Sequence, residues 1–175
     1  MNPHDLVVRP WGARFMGRSL PCAVGRGGIG AKRGEGDGIT PEGVHRIERI
    51  LVRADRKTGA GHSRSTRRFP GDAHSVIGPA DGWSDDPADP CYNRPVRRPH
   101  RFSHEALRRA DPMYDLVAAL DWNRTPAVAG LGSAIFLHVW RKPRHPTAGC
   151  VAFARADLEW VLARWTPRSR VVVRN

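Results

Sequence analysis

The chain has 175 residues, of which 40% are hydrophobic, and this suits a single domain with a real core rather than a disordered chain. Its 18 Gly and 15 Pro predict many turns, and therefore a β-rich or loop-rich fold rather than a helix bundle. The net charge of +12 would suit an anionic partner, but the arginines are scattered along the whole chain. A solvated basic surface is the simpler interpretation, and no nucleic-acid partner is expected.

The sequence contains neither a membrane span nor a disulfide framework. No apolar run approaches the roughly 18–20 residues of a transmembrane helix, so stable membrane insertion is not expected. The N-terminus lacks a basic segment followed by a long apolar stretch, so it is not a Sec signal peptide as written. The three cysteines, Cys22, Cys91 and Cys150, are an odd number, which argues against a disulfide framework and leaves a thiol free for chemistry.

The N-terminal part, residues 6–52, predicts short strands interrupted by glycine turns. Residues 20–24 are a short apolar run, and residues 25–43 are dense in glycine. The apolar residues within 44–52 have a period that is ambiguous between strand and helix.

Residues 53–112 form the least regular part of the sequence, with many Pro, Gly, Asp, Arg and His and few apolar residues. A loop of this length within a small domain is often the wall of an active site. We expect it to be a long loop region that lies against the body of the domain, with one or two helical turns over residues 103–109.

The last third of the chain gives the clearest predictions. Four apolar runs predict strands: residues 114–122, 132–139, 149–154 and 170–174. A helix is predicted over 157–165, because its apolar residues recur at helical spacing and would form one face: Leu158, Val161, Leu162 and Trp165.

One pair of residues in this region can carry covalent chemistry. His138 lies near the end of one predicted strand, and Cys150 begins the next one after a connecting loop. A thiol is mostly protonated at neutral pH and needs a base such as an imidazole beside it to become a nucleophile. Gly149 allows a close backbone approach, so the N–H groups of Ala148, Gly149 and Cys150 could form an oxyanion hole. Thr147 could orient this loop or the imidazole through its hydroxyl.

Two other interpretations of these residues remain open. A Cys and a His at loose spacing occur often by chance, and a buried Cys is usually inert. A zinc site made of His138, His145 and Cys150 is a weaker alternative, because the sequence lacks the CxxC or HxxxH spacing of zinc ligands.

The segment from His138 to the run Thr147-Ala148-Gly149-Cys150-Val151 resembles the catalytic signature of the L,D-transpeptidase domain family. That signature is a His, a loop, Ser/Thr-x-Gly-Cys and then a β-branched residue. Residues 34–43, GEGDGITPEG, are similar to the EGDGxTPxG hairpin of the family, and residues 83–96 resemble a segment of one bacterial branch. The resemblance covers residues 14–173 and is weakest between 53 and 80.

The resemblance implies a single catalytic domain over residues 1–175. Its fold would be a mostly β, L,D-transpeptidase-like sandwich of mixed sheets, with one main helix near the C-terminus and a long irregular central loop. It also implies a monomer that binds peptidoglycan stem peptides or muropeptides and needs no cofactor or metal. Cys150 would attack the bond between diaminopimelate and D-alanine in a tetrapeptide stem and form a thioester, with His138 as general base and acid.

Three functions remain open under this resemblance. The intact set of His138, Gly149 and Cys150 favours the two enzymes over a binding module, because a domain that had lost its activity has no reason to keep that set. With an amine acceptor the protein would be an L,D-transpeptidase that cross-links the cell wall in the periplasm or cell envelope. With water as the acceptor it would be an L,D-carboxypeptidase in muropeptide recycling, located in the cytoplasm if the absent signal peptide is real. A non-catalytic basic binding module that kept the fold and lost the activity is the alternative from another class.

The sequence departs from the commonest family pattern around the cysteine. Ala148 stands where a His is common, and the spacing between His138 and Cys150 is short. Ala152 stands where the family often has an Arg that helps to hold the substrate's carboxylate. Another cation would have to replace it, and Arg141 and Arg155 are the candidates. Arg141, on the loop that leads to Cys150, is favoured because the alternation of side chains along a strand would turn Arg155 away from the cleft.

Overall fold

The computed structural model describes residues 2–56 and 74–175, and within these ranges the chain forms sixteen strands and one helix. The strands of the first half are β1 Asp5–Arg9, β2 Gly12–Phe15, β3 Arg18–Leu20, β4 Cys22–Ala23, β5 Ile29–Gly30, β6 Thr40–Pro41, β7 Gly43–His45 and β8 Ile47–Val52. Those of the second half are β9 His74–Val76, β10 Asp81–Ser84, β11 Pro95–Arg97, β12 His104–Ala106, β13 Leu116–Leu120, β14 Phe136–Val139, β15 Val151–Phe153 and β16 Arg170–Val173. The helix, α1, spans Arg155–Leu162. The domain is therefore mostly β, as the sequence predicts.

Two mixed sheets form the body of the domain. The larger has the strand order β4-β15-β14-β13-β8-β9, and the other has the order β3-β2-β1-β16-β7. Strands β14 and β15 run parallel, as do β1 and β16, and most of the remaining neighbours are antiparallel. The parallel β1–β16 pair joins the two ends of the chain, and the Asp5 carboxylate strengthens it by accepting two hydrogen bonds from Arg170, at 3.0 and 2.8 Å.

The main core lies between these two sheets and α1. Side chains alternate along a strand, so Leu137 and Val139 of β14 point into this core together with Leu158 of the helix. Phe136 and His138 point to the opposite face of the same strand. Because both faces of β14 are covered, its sequence is a continuous apolar run rather than an alternating one.

A small sheet, β11-β10-β12, covers part of the outer face of the six-stranded sheet. A second hydrophobic cluster fills the space beneath it, in which Trp83 packs edge-on against Phe136 with ring centroids 5.1 Å apart. Tyr114 contacts the same Phe136 ring from another side at 6.0 Å. This second cluster includes Cys150 and therefore forms the floor of the candidate site.

The strands predicted near the C-terminus are confirmed, with shifted ends. Strand β14 begins four residues later than the predicted run 132–139, because Gly132 and Ala134 adopt positive φ angles, +97° and +52°, that interrupt an extended strand. The helix begins two residues earlier and ends three residues earlier than predicted. Trp165 is still buried against the core, although it lies beyond the helix end.

The ambiguous stretch 44–52 belongs to strands, not to a helix, because it lies within β7 and β8. The helical turns predicted over 103–109 are wrong: His104–Ala106 form β12, which pairs with β10. This pairing with a distant segment overrides the weak local preference for helix. The long region 53–112 is more ordered than a loop where the structure describes it, since it contains β9 to β12. Its residues 57–73 lie outside the described residues.

Within the part of the chain that the structure describes, the helix is too short and too polar to span a membrane.

Candidate active site

The parallel pairing of β14 with β15 brings Cys150 and His138 onto the same face of the sheet. Leu137 lies level with Val151 and His138 lies level with Ala152, which places Cys150 beside Phe136. The Phe136 N–H donates to the Cys150 Sγ at 3.4 Å, which fixes this register at the sulfur itself. Alternate residues share a face, so the thiol and the imidazole lie on neighbouring strands and border one cavity.

The His138 ring is held in one orientation by its own strand. Its Nδ1 lies 2.8 Å from the Val139 carbonyl oxygen, which can only accept, so Nδ1 carries the proton and Nε2 is left as the basic nitrogen. The Tyr114 ring packs edge-on against the imidazole with centroids 5.5 Å apart. Burial lowers the pKa of His138 to about 4, although the hydrogen bond to Val139 opposes the shift. The imidazole is therefore neutral at pH 7 and can accept a proton.

The Cys150 thiol is also neutral in this structure. Its Sγ donates to the Ala134 carbonyl oxygen at 3.2 Å. Burial raises the pKa of Cys150 to about 12, and the Glu105 carboxylate acts in the same direction. The Phe136 N–H and the Lys32 ammonium act against that shift. A neutral thiol and a neutral imidazole on neighbouring strands are the protonation states from which general-base activation starts.

The turn before Cys150 is fixed by Thr147. Its hydroxyl donates to the Cys150 carbonyl oxygen at 2.6 Å and accepts the Gly149 N–H at 3.0 Å. Gly149 has a φ of +144°, and a Cβ there would lie 3.0 Å from the Ile39 carbonyl oxygen, so both conformation and space require glycine. Of the three predicted oxyanion donors, the Gly149 N–H is thus already engaged. The N–H groups of Ala148 and Cys150 remain as candidates.

These residues border a cavity of about 540 Å³ that lies between the Gly-rich N-terminal loop, the small sheet and the turn before Cys150. Its lining includes five groups of the predicted site besides Cys150: His138, Arg141, Thr147, Ala148 and Gly149. The lining also includes Lys32, Glu35, Asp85, Glu105, Arg109, Tyr114, His145 and Ala152.

A family-level sequence comparison matches residues 12–173 with the L,D-transpeptidase catalytic domain family, known as YkuD. The chain belongs to this family. Neither a search of the curated proteins nor a search of the solved structures found a match. Because the match covers nearly the whole chain, the family resemblance stated from the sequence motifs is confirmed, and the mixed-sheet fold agrees with it.

Arg155, one of the two predicted carboxylate-binding residues of this L,D-transpeptidase domain, is not brought to the cavity. Its guanidinium pairs with Asp115 at 3.1 Å and with Glu159 at 3.0 Å. The side chain thus ties α1 to the start of β13 instead of facing Cys150. Arg141, the favoured candidate, does line the cavity and is exposed.

Sequence reasoning missed Arg109, which also lines the cavity. Its guanidinium lies 5.3 Å from the centre of the Tyr114 ring and pairs with Asp111 at 2.8 Å. Ala152, which stands where the sequence motif suggested an Arg, also borders the cavity and carries no charge. The cationic groups near His138 therefore come from other segments. Arg109 lies in the irregular region, where no sequence pattern shows the direction of a side chain.

A second missed residue is Lys32, in the Gly-rich loop. Its ammonium lies 2.7 Å from the Asp37 carboxylate, and its side chain is only 2% exposed. Burial raises the pKa of the Asp37 carboxyl, but hydrogen bonds from Lys32 and from backbone N–H groups outweigh this and lower it to about 2. Residue usage could have drawn attention to Lys32, because Lys is rare in this chain: of its 29 basic residues, only Lys32, Lys57 and Lys142 are Lys.

Three carboxylates also belong to the cavity lining. Glu35, Asp85 and Glu105 all border it, and burial raises the pKa of Glu105. The cavity thus presents carboxylates as well as the cations Arg109 and Arg141, which suits a ligand that carries both signs of charge.

The zinc alternative gains no support from the geometry. His145 borders the cavity with His138 and Cys150, but across residues 2–56 and 74–175 no group of three or more His, Cys, Asp or Glu side chains is arranged to hold a metal ion.

Proposed function

We propose that this L,D-transpeptidase family domain is a cysteine-dependent acyltransferase that acts on peptidoglycan tetrapeptide stems. The bond broken is the one between diaminopimelate and D-alanine. The observation that carries the proposal is the placement of Cys150 and His138 on one face of two paired strands, with Nδ1 of His138 fixed by Val139. This leaves Nε2 as the base for the thiol proton.

In the proposed first step, Cys150 transfers its proton to Nε2 of His138 and the resulting thiolate attacks the diaminopimelate carbonyl carbon. The carbonyl oxygen becomes negative and accepts hydrogen bonds from the N–H groups of Ala148 and Cys150. In other enzymes, removing one such preorganised donor lowers kcat about 10²–10³-fold.

The intermediate then collapses to a thioester. The bond from the carbonyl carbon to the D-alanine nitrogen breaks, and the leaving amine takes the proton from His138, which returns to the neutral state. In the second half, an acceptor amine gives a proton to His138 and attacks the thioester carbonyl. The new amide forms, the carbon–sulfur bond breaks, and Cys150 regains its proton.

The charges of the cavity support an amine acceptor rather than water. Arg141 would hold a free carboxylate of the stem peptide, because a guanidinium can donate two parallel hydrogen bonds to a carboxylate. Arg109 lines the same cavity. An ammonium group of an acceptor stem suits the acidic lining formed by Glu35, Asp85 and Glu105. Transfer to an amine would build cross-links, and we therefore propose the cell envelope as the place of the reaction.

The proposal is tested by incubating the protein with a disaccharide tetrapeptide and weighing the products. We expect release of D-alanine and a cross-linked dimer. A tripeptide product without dimer, even when an amine acceptor is added, would instead favour the L,D-carboxypeptidase. Binding of the stem without any product would favour the non-catalytic basic module.

A further inference from the structure

The Gly-rich loop brings a buried cation to the edge of the candidate site. Lys32 borders the cavity that contains Cys150, and only 2% of its side chain is exposed. A Cβ added at Gly149 would lie 3.6 Å from Lys32 Nζ, so the ammonium lies against the turn that precedes Cys150. A charged group is rarely buried this deeply without a specific reason.

Glycines make room for the Lys32 side chain on two sides. A Cβ at Gly132 would meet Lys32 Cε at 2.0 Å, an impossible contact, and Gly149 leaves the space beside Nζ open. Both glycines come from segments far from Lys32 in the sequence. The fold thus encloses the aliphatic part of the Lys32 side chain and holds its ammonium group in one position.

The Asp37 carboxylate holds the Lys32 ammonium in place. Its Oδ1 accepts from Lys32 Nζ at 2.7 Å and from the Ile39 N–H at 2.9 Å, while Oδ2 accepts the Arg33 N–H at 2.8 Å. The Ile39 carbonyl oxygen takes a second, longer hydrogen bond from Nζ at 3.4 Å. An ammonium has three donors, so these two bonds within the described residues leave capacity for a third partner.

We infer that Lys32 is a fixed positive charge of the active site, which stabilises the Cys150 thiolate. This inference rests on the proposed function, in which Cys150 is the nucleophile. Lys32 acts as a positioning residue through its field, because it takes no part in transferring the proton. The family signature around Cys150 does not include it.

Other ionisable groups face Cys150 from the elements packed around it: His138 on β14, Tyr114 before β13 and Glu105 on β12. Glu105 opposes ionisation of the thiol, whereas the Lys32 cation favours it. His138 itself is influenced by Arg109 and Asp111. Removing the charge of Lys32 should therefore leave the Phe136 N–H to favour the thiolate against burial and the Glu105 carboxylate.

The test is the pH dependence of Cys150 alkylation by iodoacetamide, followed by peptide mapping so that Cys22 and Cys91 do not contribute. In Lys32→Met, we expect alkylation about three- to tenfold slower at each pH between about 7 and 9, with the profile displaced to higher pH. A nearby charge commonly changes a pKa by about one unit or more, and the greater nucleophilicity of a more basic thiolate recovers part of the rate.

A second pair of variants separates charge from structure. Asp37→Asn and the double variant Lys32→Met/Asp37→Asn both lack the ion pair, but only Asp37→Asn keeps the Lys32 ammonium. We expect the double variant to be alkylated three- to tenfold more slowly than Asp37→Asn. A merely structural role of the ion pair would slow both variants equally.

The inference would be overturned by equal alkylation rates of Cys150 in Lys32→Met and the wild type. Equal rates in Asp37→Asn and the double variant would also overturn it. The double variant buries no lone carboxylate, so it gives a result even if Lys32→Met fails to fold. The assay needs no peptidoglycan. If Lys32→Met is alkylated more slowly than the wild type, but the wild type fails to process stem peptides, the proposed function is overturned and this inference is not.

Discussion

The Cys150 thiol donates a hydrogen bond to the Ala134 carbonyl oxygen at 3.2 Å. Ala134 can present that oxygen because its φ of +52° turns the chain just before β14. The hydrogen bond stabilises the protonated thiol, as burial does, so the free protein keeps Cys150 at rest. Attack on a substrate requires the thiol to give up this hydrogen bond and transfer its proton to His138.

Replacing the proposed nucleophile should abolish turnover without unfolding the domain. Cys150→Ala removes a single sulfur from the second hydrophobic cluster, so we expect the melting temperature to fall by less than about 5 °C. Turnover of the tetrapeptide should be lost, because only binding and oxyanion contacts would remain. Activity assays and thermal unfolding of the same preparation check both parts. Wild-type turnover in this variant would redirect attention to Cys22 or Cys91.

The pH dependence should be a broad plateau rather than a narrow bell. Protonation of His138 removes the base, so kcat/KM should fall only as the pH drops towards about 4. Loss of the thiol proton lies near pH 12, so no loss of activity from Cys150 is expected around pH 8–9. Steady-state kinetics between about pH 4 and 9 test this. If kcat/KM instead fell as the pH was lowered from 7 to 6, His138 of the free protein would be protonated in that range, contrary to this account.

The two predicted arginines should behave differently when each is changed to alanine. Arg141→Ala should raise KM for the tetrapeptide about tenfold or more, which corresponds to the ~1.5–3 kcal/mol of a hydrogen bond between charged groups. Arg155→Ala is the matched control, since its guanidinium pairs with Asp115 and Glu159 away from the cavity. It should keep the wild-type KM and lower the melting temperature by a few degrees. The reverse pattern would assign the carboxylate to Arg155.

Gly149→Ala should damage both stability and activity. The φ of +144° and the contact of 3.0 Å with the Ile39 carbonyl oxygen would force the turn before Cys150 to move, at a cost of about 1–3 kcal/mol. Gly30→Ala is the control, because no atom lies within 4 Å of a Cβ there. Chemical denaturation and turnover should both be close to wild type for Gly30→Ala. A fully active Gly149→Ala would contradict the role of this turn.

The elements that the sequence predicts well are those whose signal is local. The runs 114–122 and 149–154 contain β13 and β15, whose residues are buried on both faces. The placement of His138 and Cys150 on neighbouring strands follows from two strands joined by one loop. The strand at His104–Ala106 was missed, since its stability comes from pairing with Asp81–Ser84 and not from its own residues. The direction of Arg109 likewise depends on contacts made only in the folded chain.

The most direct test of the proposed chemistry is the mass of the intact protein during turnover of the disaccharide tetrapeptide. We predict a transient adduct equal to the substrate minus D-alanine, located on Cys150 by peptide mapping and removed by an amine acceptor. The Cys150→Ala variant should show no adduct. Turnover by the wild type without any adduct on Cys150, or an adduct on another residue, would contradict the thioester mechanism.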